Sequence, residues 1–517
     1  MESAAALSVV FTAPDSALTG SRTAPPQPKA DRSARRRTAL PVIEPPTVEH
    51  PAIEQPAVVV VELPGADGSR VIRALLDQTE HPTAPVGSYL VLRASAGASG
   101  DLRSFVPGYR QPADPPPTGD LFAGAPPEDA VEAPVPSAPS RPPRRVEATL
   151  PAALLRHTAL VVAPPTGAFG PAYSRIVLDA AERGGAMLLV AAAPTPLGEP
   201  EHDLAVQALE RGVTVFLALS QAMTGELAVA RTEAQRHAPN LAELAWFAVD
   251  DPTIDGVAAL RENIVRWAAD ERGRRLASAG KPLRTGPIRV SSDAADSGWE
   301  ELLEREIKWR CHAVWQRVAI ELAHIHLRGV HELIFGAGCA GLPYTLDREL
   351  HALSIFATRQ LDSAVAALVD RLLPEVLAVA PDENGLRLIG STLRRTLDDD
   401  QPDGRTRDRV LLVTSTSGLA VVSGTGAEVN LASYQTTPTG PLAAVVPPIG
   451  IALTGGCYLF WRDPTHADVD KCRYWLQRVV REVESELRRE LELRFRDLSR
   501  GVISLLHDAF EHGIVLI

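Results

Sequence analysis

The stretch Val58–Arg70 reads VVVVELPGADGSR, and the helical pattern VIRALL follows it at residues 71–76. The β-branched apolar run predicts a buried strand, and the Pro, Gly and Asp residues after it predict a tight turn. A strand, a glycine-containing turn and a helix in this order outline a phosphate-binding loop, because N–H groups at a helix N-terminus can cradle an anion. The stretch therefore predicts an α/β domain built around this strand–loop–helix unit.

The side chains that carry phosphate chemistry are missing from this loop. A working loop reads G-x-x-x-x-G-K-[ST], in which the Lys contacts the β- and γ-phosphates and the hydroxyl binds Mg²⁺. Aligned on Gly68, the sequence has Leu63 at the first Gly, Ser69 at the Lys and Arg70 at the hydroxyl position. The candidate nucleotide-binding residues of this degenerate loop are therefore Gly65, Gly68, Ser69 and Arg70.

Composition narrows the class of protein. The chain has 517 residues, of which 45% are hydrophobic, enough for two or three domains with substantial cores. A net charge of -12 argues against general nucleic-acid binding, which needs a basic face. The four cysteines are scattered without a C-x-x-C pair, which predicts neither a disulfide framework nor a zinc site. The N-terminus shows no signal-peptide pattern.

The first half of the chain divides into a tail and an α/β domain. Residues 1–55 are rich in Pro, Ala and charge and predict a disordered tail. Residues 56–290 alternate short apolar runs with amphipathic helices, which predicts a mostly parallel sheet with right-handed crossovers. A Pro- and acid-rich stretch, residues 107–145, predicts a long irregular insertion in this domain.

Residues 291–517 predict long helices packed as a bundle or stalk. From Trp299 to Ile325, apolar residues recur at steps of three and four and define one apolar stripe. A last long helix begins near Asp468 and keeps a nearly heptad apolar spacing, with Arg and Glu on its other faces.

An uncharged apolar segment, residues 438–461, precedes this last helix. It is long enough to span a bilayer, but Pro447-Pro448 and Gly455-Gly456 argue against one uninterrupted helix. A buried hairpin, a tip that inserts into the membrane interface and a transmembrane helix all remain open. The side chains of the predicted membrane tip are Val445, Val446, Ile449, Ile451, Leu453, Tyr458, Phe460 and Trp461.

This order of features resembles the bacterial dynamin-like proteins. They combine an α/β domain that opens with a phosphate-binding loop, a helical stalk, an apolar tip and a charged returning helix. The resemblance covers most of residues 57–517 and rests on architecture and on eroded motifs. It implies a family that hydrolyses GTP, associates with membranes and often works as tandem pairs of unequal members, particularly in actinobacteria.

Carried over by position, the resemblance places further motifs of the family on residues that lack their chemistry. The switch threonine falls near Ser88 or Thr83, and the metal-facing Asp of the D-x-P-G motif corresponds to Ala163. The guanine-reading motif corresponds to residues 220–223, where Met223 stands in place of the carboxylate. The degenerate switch and base residues are Ser88, Ala163, Thr166, Gly167, Gln221 and Met223.

These losses favour a pseudo-GTPase that pairs with an active dynamin-like GTPase, or with itself. In this reading it acts on anionic lipids at the inner face of the cytoplasmic membrane and binds no nucleic acid. No catalytic residue, metal ligand or cofactor is expected, and GTP and Mg²⁺ would bind only if the pocket is active. Two alternatives remain: a divergent but active GTPase, and a soluble oligomeric scaffold without membrane contact.

Overall fold

The computed structural model describes the greater part of the chain beyond residue 54. The described residues are 55–79, 82–85, 87–95, 101–107, 143–164, 170–193, 197–221, 225–237, 239–249, 256–279, 288–289, 298–377, 383–399, 409–415, 418–423, 442, 445–512 and 514–515. The predicted tail, apart from Gln55, and most of the predicted insertion lie outside these ranges. The predicted domain boundary at residues 290–291 also lies outside them. Residues 50–517 cluster as one unit.

Within the described residues, eight strands form the main sheet in the order β3-β4-β2-β5-β1-β6-β7-β8. Their bounds are β1 Ala57–Glu62, β2 Tyr89–Ala94, β3 Leu102–Phe105, β4 Arg145–Leu150, β5 Ala159–Val162, β6 Gly185–Ala192, β7 Thr214–Ser220 and β8 Ala245–Ala248. Strands β5, β1, β6, β7 and β8 run parallel. Strand β2 runs antiparallel to β5 and parallel to β4, and β3 runs antiparallel to β4. The predicted mostly parallel sheet is confirmed.

Helices cover both faces of this sheet, which explains why β1 reads as a continuous apolar run. One face carries α1 Gly68–Leu76 and α5 Gly256–Ala279. The other carries α2 Pro171–Gly184, α3 Glu199–Glu210 and α4 Glu226–His237. Both faces of β1 are therefore buried, and its ends are the parts of the strand that can reach a ligand.

The second half of the chain is mainly long helices, as the sequence predicts. Their bounds are α6 Trp299–Phe335, α7 Gly338–Leu377, α8 Glu383–Asp399, α9 Gly455–Phe460 and α10 Val469–His512. Helices α6 and α10 are antiparallel: the Trp299 ring lies 5.6 Å from the His507 ring, and the Arg488 guanidinium lies 5.7 Å from the Trp315 ring. The predicted apolar stripe of α6 is buried between these helices.

Helix α7 joins the two halves of the structure. Its side chains Leu346, Leu350 and Leu353 lie in the core of the helical region, whereas Ala352 and Ile355 lie in the core beneath the sheet. By length and composition α7 is the one described helix that could cross a membrane. Part of that apolar surface is buried in the two cores.

Ion pairs reinforce the contact between the sheet domain and the long helices. Arg359 of α7 contacts Asp179 of α2 at 2.7 Å, and Asp179 is almost fully buried. Arg144, just before β4, contacts Asp347 of α7 at 3.1 Å and donates to the carbonyl of Ile451 at 2.8 Å. Because Asp179 and Arg144 are buried, removing the charged partner of either residue is costly.

Short sheets interrupt the helical region, which the sequence did not predict. Strands β10 Arg409–Val413, β11 Leu419–Ser423 and β12 Ile449–Leu453 form a three-stranded sheet. A two-residue strand, β9 Ile288–Arg289, pairs with β13 Ile514–Val515. Strands β3 and β4 were also missed, and the expected irregular insertion at residues 107–145 is corrected at its end, since Arg145 begins β4. Only pairing with neighbouring strands reveals segments this short.

The uncharged segment supplies β12 and packs against α7 and α10. The Ile451 N–H donates to the Ser354 hydroxyl at 3.0 Å, and the Ile449 N–H donates to the Thr358 hydroxyl at 3.2 Å. The guanidinium of Arg494 donates to the carbonyls of Pro447 and Pro448. Burial lowers the pKa of Arg494, against the opposing effect of the nearby Glu490 carboxylate. A buried cation thus anchors the two prolines.

Replacing Ile451→Ala tests this burial. The side chain is fully buried, so we expect a loss of about 2–5 kcal/mol in the free energy of unfolding. The exposed Leu459, in the same segment, is the control, and Leu459→Ala should change stability by less than about 0.5 kcal/mol. Chemical denaturation followed by circular dichroism measures both. Equal effects would contradict a buried β12.

Candidate functional site

The carboxyl ends of the parallel strands meet at one edge of the sheet. The chain leaves β5, passes through α2 and re-enters as β6 on the other side of β1. Such a reversal opens a crevice at the end of the central strand, where α/β proteins bind ligands. The Leu63 N–H donates to the Val190 carbonyl at 2.9 Å, and the Ala163 N–H donates to the Val60 carbonyl at 2.9 Å. The structure thus brings the loop after β1 beside the ends of β5 and β6.

Two carboxylates of the chain itself accept hydrogen bonds from the N-terminus of α1. Asp67 is the N-cap, and its Oδ1 accepts the Arg70 N–H at 2.9 Å. The Glu62 carboxylate accepts the Gly68 N–H. This approach requires glycine, because a Cβ at Gly68 would lie 2.8 Å from Glu62 Oε2. Backbone N–H groups that a phosphate-binding loop offers to its ligand are therefore held within the protein.

The carboxylates also shape the electrostatics of the loop. Burial raises the pKa of Glu62, the Gly68 N–H opposes that rise, and the negative charge of Asp67 adds to it. The two acids are close enough to affect each other, so a third anion beside them would be repelled. Ser69 and the side chain of Arg70 are exposed on the first turn of α1. Gly65 occupies the turn with a φ of +84°.

The phosphate-binding motif assigns no role to Glu62 or Asp67. It specifies only the Gly, Lys and Ser/Thr positions, and both acids fall outside them. The available signal was an Asp directly before a predicted helix, the preferred residue type for an N-cap. Nothing in the sequence shows that Glu62 turns back toward the same helix.

The other predicted site residues lie at this edge without forming a catalytic group. Ser88 precedes β2 and is buried, and its hydroxyl donates to the Pro143 carbonyl. Ala163 directly follows β5 and is buried. Gln221 follows β7 with a φ of +60° and is exposed. Thr166, Gly167 and Met223 lie outside the described residues.

The residues present do not fit a magnesium-bound nucleoside triphosphate. The start of α1, where a phosphate-binding loop would hold phosphate, has two carboxylates and lacks the Lys. The Ala163 methyl group offers no oxygen to a metal ion. Ser88, one candidate for the switch hydroxyl, donates to the Pro143 carbonyl just before β4, three strands from β1. Among the described residues, no group of three or more His, Cys, Asp or Glu side chains could hold a metal ion.

The predicted membrane-tip side chains separate into two groups. Six of them are 0–3% exposed: Val445, Val446, Ile449, Ile451, Leu453 and Trp461. An exposed apolar tip is therefore wrong at these six positions. Ile449, Ile451 and Leu453 belong to β12, which pairs with β10, and all six side chains lie in the core of the helical region. Tyr458 and Phe460 belong to α9 and are half-buried.

A different set of apolar side chains is exposed at the same end of the helices. Phe335, at the end of α6, is 75% exposed, Tyr344 of α7 is 44% exposed and Leu459 of α9 is 41% exposed. The rings of Tyr344 and Tyr458 lie 5.0 Å apart, which joins α7 to α9. Sequence reasoning missed Phe335 and Tyr344, because they are far from residues 438–461 in the chain.

Comparisons with known proteins give likenesses among solved structures and none elsewhere. No protein-family model and no curated protein matches the chain. Two solved chains that are similar to this protein come from an oligomerised bacterial dynamin pair. That pair is described as providing a mechanism for long-range sensing and tethering of membranes. Each of these two chains is 9% identical in sequence to this protein and superposes on it with a TM-score of 0.30. The matches cover 89% of this chain and 75% of the first, and 90% of this chain and 77% of the second. A TM-score of 0.30 is too low to carry a functional argument.

Replacing Glu62→Gln tests the carboxylate cap. The folded protein holds the Glu62 proton more tightly than the unfolded chain does, since burial raises this pKa. Wild-type stability therefore falls as pH rises from the ordinary carboxyl range through the raised pKa. The Gln variant does not titrate and still accepts from Gly68. We expect its Tm to exceed that of the wild type at about pH 7 and to approach it near about pH 4.

Thermal unfolding at a series of pH values measures this difference. Glu62→Ala is the matched control, because it removes both the charge and the acceptor for the Gly68 N–H. We expect the Ala variant to be less stable than the Gln variant at every pH. A Gln variant whose advantage does not grow with pH would contradict the assignment.

Proposed function

We propose that the protein is a dynamin-like pseudo-GTPase that acts with an active dynamin-like GTPase at the cytoplasmic membrane. The observation that carries the pseudo-GTPase assignment is the capping of α1 by Glu62 and Asp67. Electrostatic stabilisation of the transferring phosphoryl group is the main source of catalysis in such enzymes. A loop that has two acids and no Lys opposes that stabilisation.

Membrane contact is assigned to the exposed end of the long helices. Phe335, Tyr344 and Leu459 present an apolar surface there, as an interface-inserting tip does. Arg462 and Arg473, in the segment after α9 and near the start of α10, are exposed, and a basic side chain at a membrane surface adds about 1 kcal/mol against anionic headgroups. Lys471 is also exposed but is paired with Asp468 at 3.5 Å. The acidic net charge is compatible with this mode, because insertion of apolar side chains needs no extended basic patch.

Two other functions remain as alternatives. A divergent GTPase would have to displace the carboxylates from the start of α1 before phosphates could bind. A soluble scaffold would use the same exposed apolar end to contact protein instead of lipid. Nucleotide titration separates the first alternative from the proposal, and vesicle flotation separates the second.

Calorimetric titration with GTP and Mg²⁺ tests the nucleotide assignment. We expect no saturable heat at high micromolar nucleotide, because the cap carboxylates occupy N–H groups of α1 and repel phosphate. ATP and GDP are titrated in parallel, and an active GTPase serves as the positive control. Saturable binding of GTP but not of ATP would overturn the pseudo-GTPase assignment in favour of the divergent GTPase.

Flotation with phosphatidylglycerol vesicles tests the membrane assignment. We expect the wild-type protein to float with the vesicles. The bound fraction of the Phe335→Asp/Leu459→Asp variant should be at least about tenfold lower, because a charge in the membrane interface is costly. Val229→Asp is the matched control, because Val229 is 66% exposed on α4 of the sheet domain. A wild type that stays in solution would favour the scaffold, and a double variant that floats normally would refute this tip.

A further inference from the structure

Helix α6 has two apolar faces on opposite sides. One face is buried against α7 and α10 and includes Val318, Leu322 and Ile325. The other side carries large apolar side chains that the described residues leave exposed. They are Trp309 at 63%, Ile320 at 58%, Leu327 at 64% and Ile334 at 55%. A helix that packs on one side only has charged or polar residues on its other side.

The exposed side chains have the spacing of a coiled-coil seam. With the residues between them they form a series in which steps of four and three alternate. The series is Trp309, Ala313, Gln316, Ile320, Ala323, Leu327, Val330 and Ile334, and we call it the outer seam. Such steps average 3.5 residues, the period at which one helix keeps a continuous stripe against another. The outer seam spans 26 residues, or about 38 Å at about 1.5 Å per residue.

We propose that the outer seam is a dimer interface, in which α6 of one copy packs antiparallel on α6 of a second copy. The twofold axis would pass between Glu321 and Leu322, the midpoint of the seam. A twofold contact is self-complementary, so that each residue meets its counterpart about that point. This arrangement goes beyond the proposed function, because it depends neither on the nucleotide site nor on lipid.

The sizes of the side chains along the outer seam support α6 of a second copy as the partner. About the midpoint, Ile320 faces Ala323 of the second copy, and Ala313 faces Val330, which is half-buried against the core of its own copy. A small residue thus meets a larger one at these positions, which lets side chains interdigitate as knobs into holes.

The outer pairs extend the contact to the ends of the seam. The wide ring of Trp309 faces Ile334, and Gln316 faces Leu327. Gln316 is the polar member, and its amide lies 3.0 Å from the ring nitrogen of His312 on its own helix. That amide can keep its partner while Leu327 of the second copy packs beside it.

The sheet domain leaves this seam open. Glu321 and Arg328, which flank it on one side, are engaged with Arg175 of α2 and Glu349 of α7 at 2.7–3.2 Å. These ion pairs fix the rotation of α6 about its own axis. The outer seam therefore keeps a single orientation, which reduces the entropy lost on pairing.

Light scattering after size-exclusion chromatography of the full chain tests the dimer. We expect twice the monomer mass of 55.3 kDa at micromolar concentration. Ile320→Glu/Leu327→Glu places charges at four positions of a twofold interface and should raise the dissociation constant at least about a hundredfold. Val229→Glu, on the sheet domain, is the control and should remain dimeric. Circular dichroism checks that both variants keep their helix content.

Cysteine cross-linking tests the antiparallel register. Ala323 lies near the proposed axis, so its Cα atoms in the two copies are offset by only about 4.5 Å along the helices, whereas those of Ala313 are offset by about 26 Å. The helix axes are about 8–10 Å apart, which is too far for a direct disulfide at residue 323. We therefore expect a bismaleimide with a span of about 10 Å to cross-link Ala323→Cys and not Ala313→Cys, with the wild type as background for the native cysteines. A monomeric wild type, a charged variant that stays dimeric, or equal cross-linking at both positions would overturn the proposal.

Discussion

The burial of α7 in two cores is the constraint on which the rest of the structure depends. Leu350 and Leu353 pack among the long helices, while Ala352 and Ile355 complete the core beneath the sheet. A helix that buries side chains on opposite faces needs apolar residues on both, which contributes to the apolar composition of α7. The paired charges of Asp179 and Arg359 then fix how the sheet domain sits on it. Movement between the two halves would have to break these contacts together.

The start of α1 shows how stability and ligand binding compete for the same groups. A helix N-terminus leaves N–H groups that need acceptors, and these can come from the chain or from an anion. Here Asp67 and Glu62 supply them. The cap stabilises the helix at the position where a phosphate-binding loop would hold its ligand. The two acids therefore place negative charge at the helix N-terminus, where an anionic ligand would need positive charge.

The uncharged segment shows why apolar composition alone does not identify a membrane contact. Residues 445–461 are as apolar as an inserting tip, yet the side chain of Arg494 and the strand β10 bind their backbone inside the protein. Leu459 is exposed within this segment, but other exposed apolar side chains lie on a long helix, at Phe335 and along the outer seam of α6. Exposure is a property of the packed structure, and a hydropathy pattern does not record it.

The sequence by itself determined the parts of this protein that depend on local pattern. The run Val58–Val61, its turn and the helix after it predicted the central strand, and periodicity predicted the long helices from Trp299 and near Asp468, because both signals lie within a few turns of chain. The absence of a Lys at position 69 of the loop is equally evident from the sequence. Only the tertiary structure placed Glu62 on the N-terminus of α1, buried Ile451 in a sheet and left Ile320 and Leu327 exposed. These outcomes depend on contacts between residues far apart in the chain, and local spacing carries no record of them.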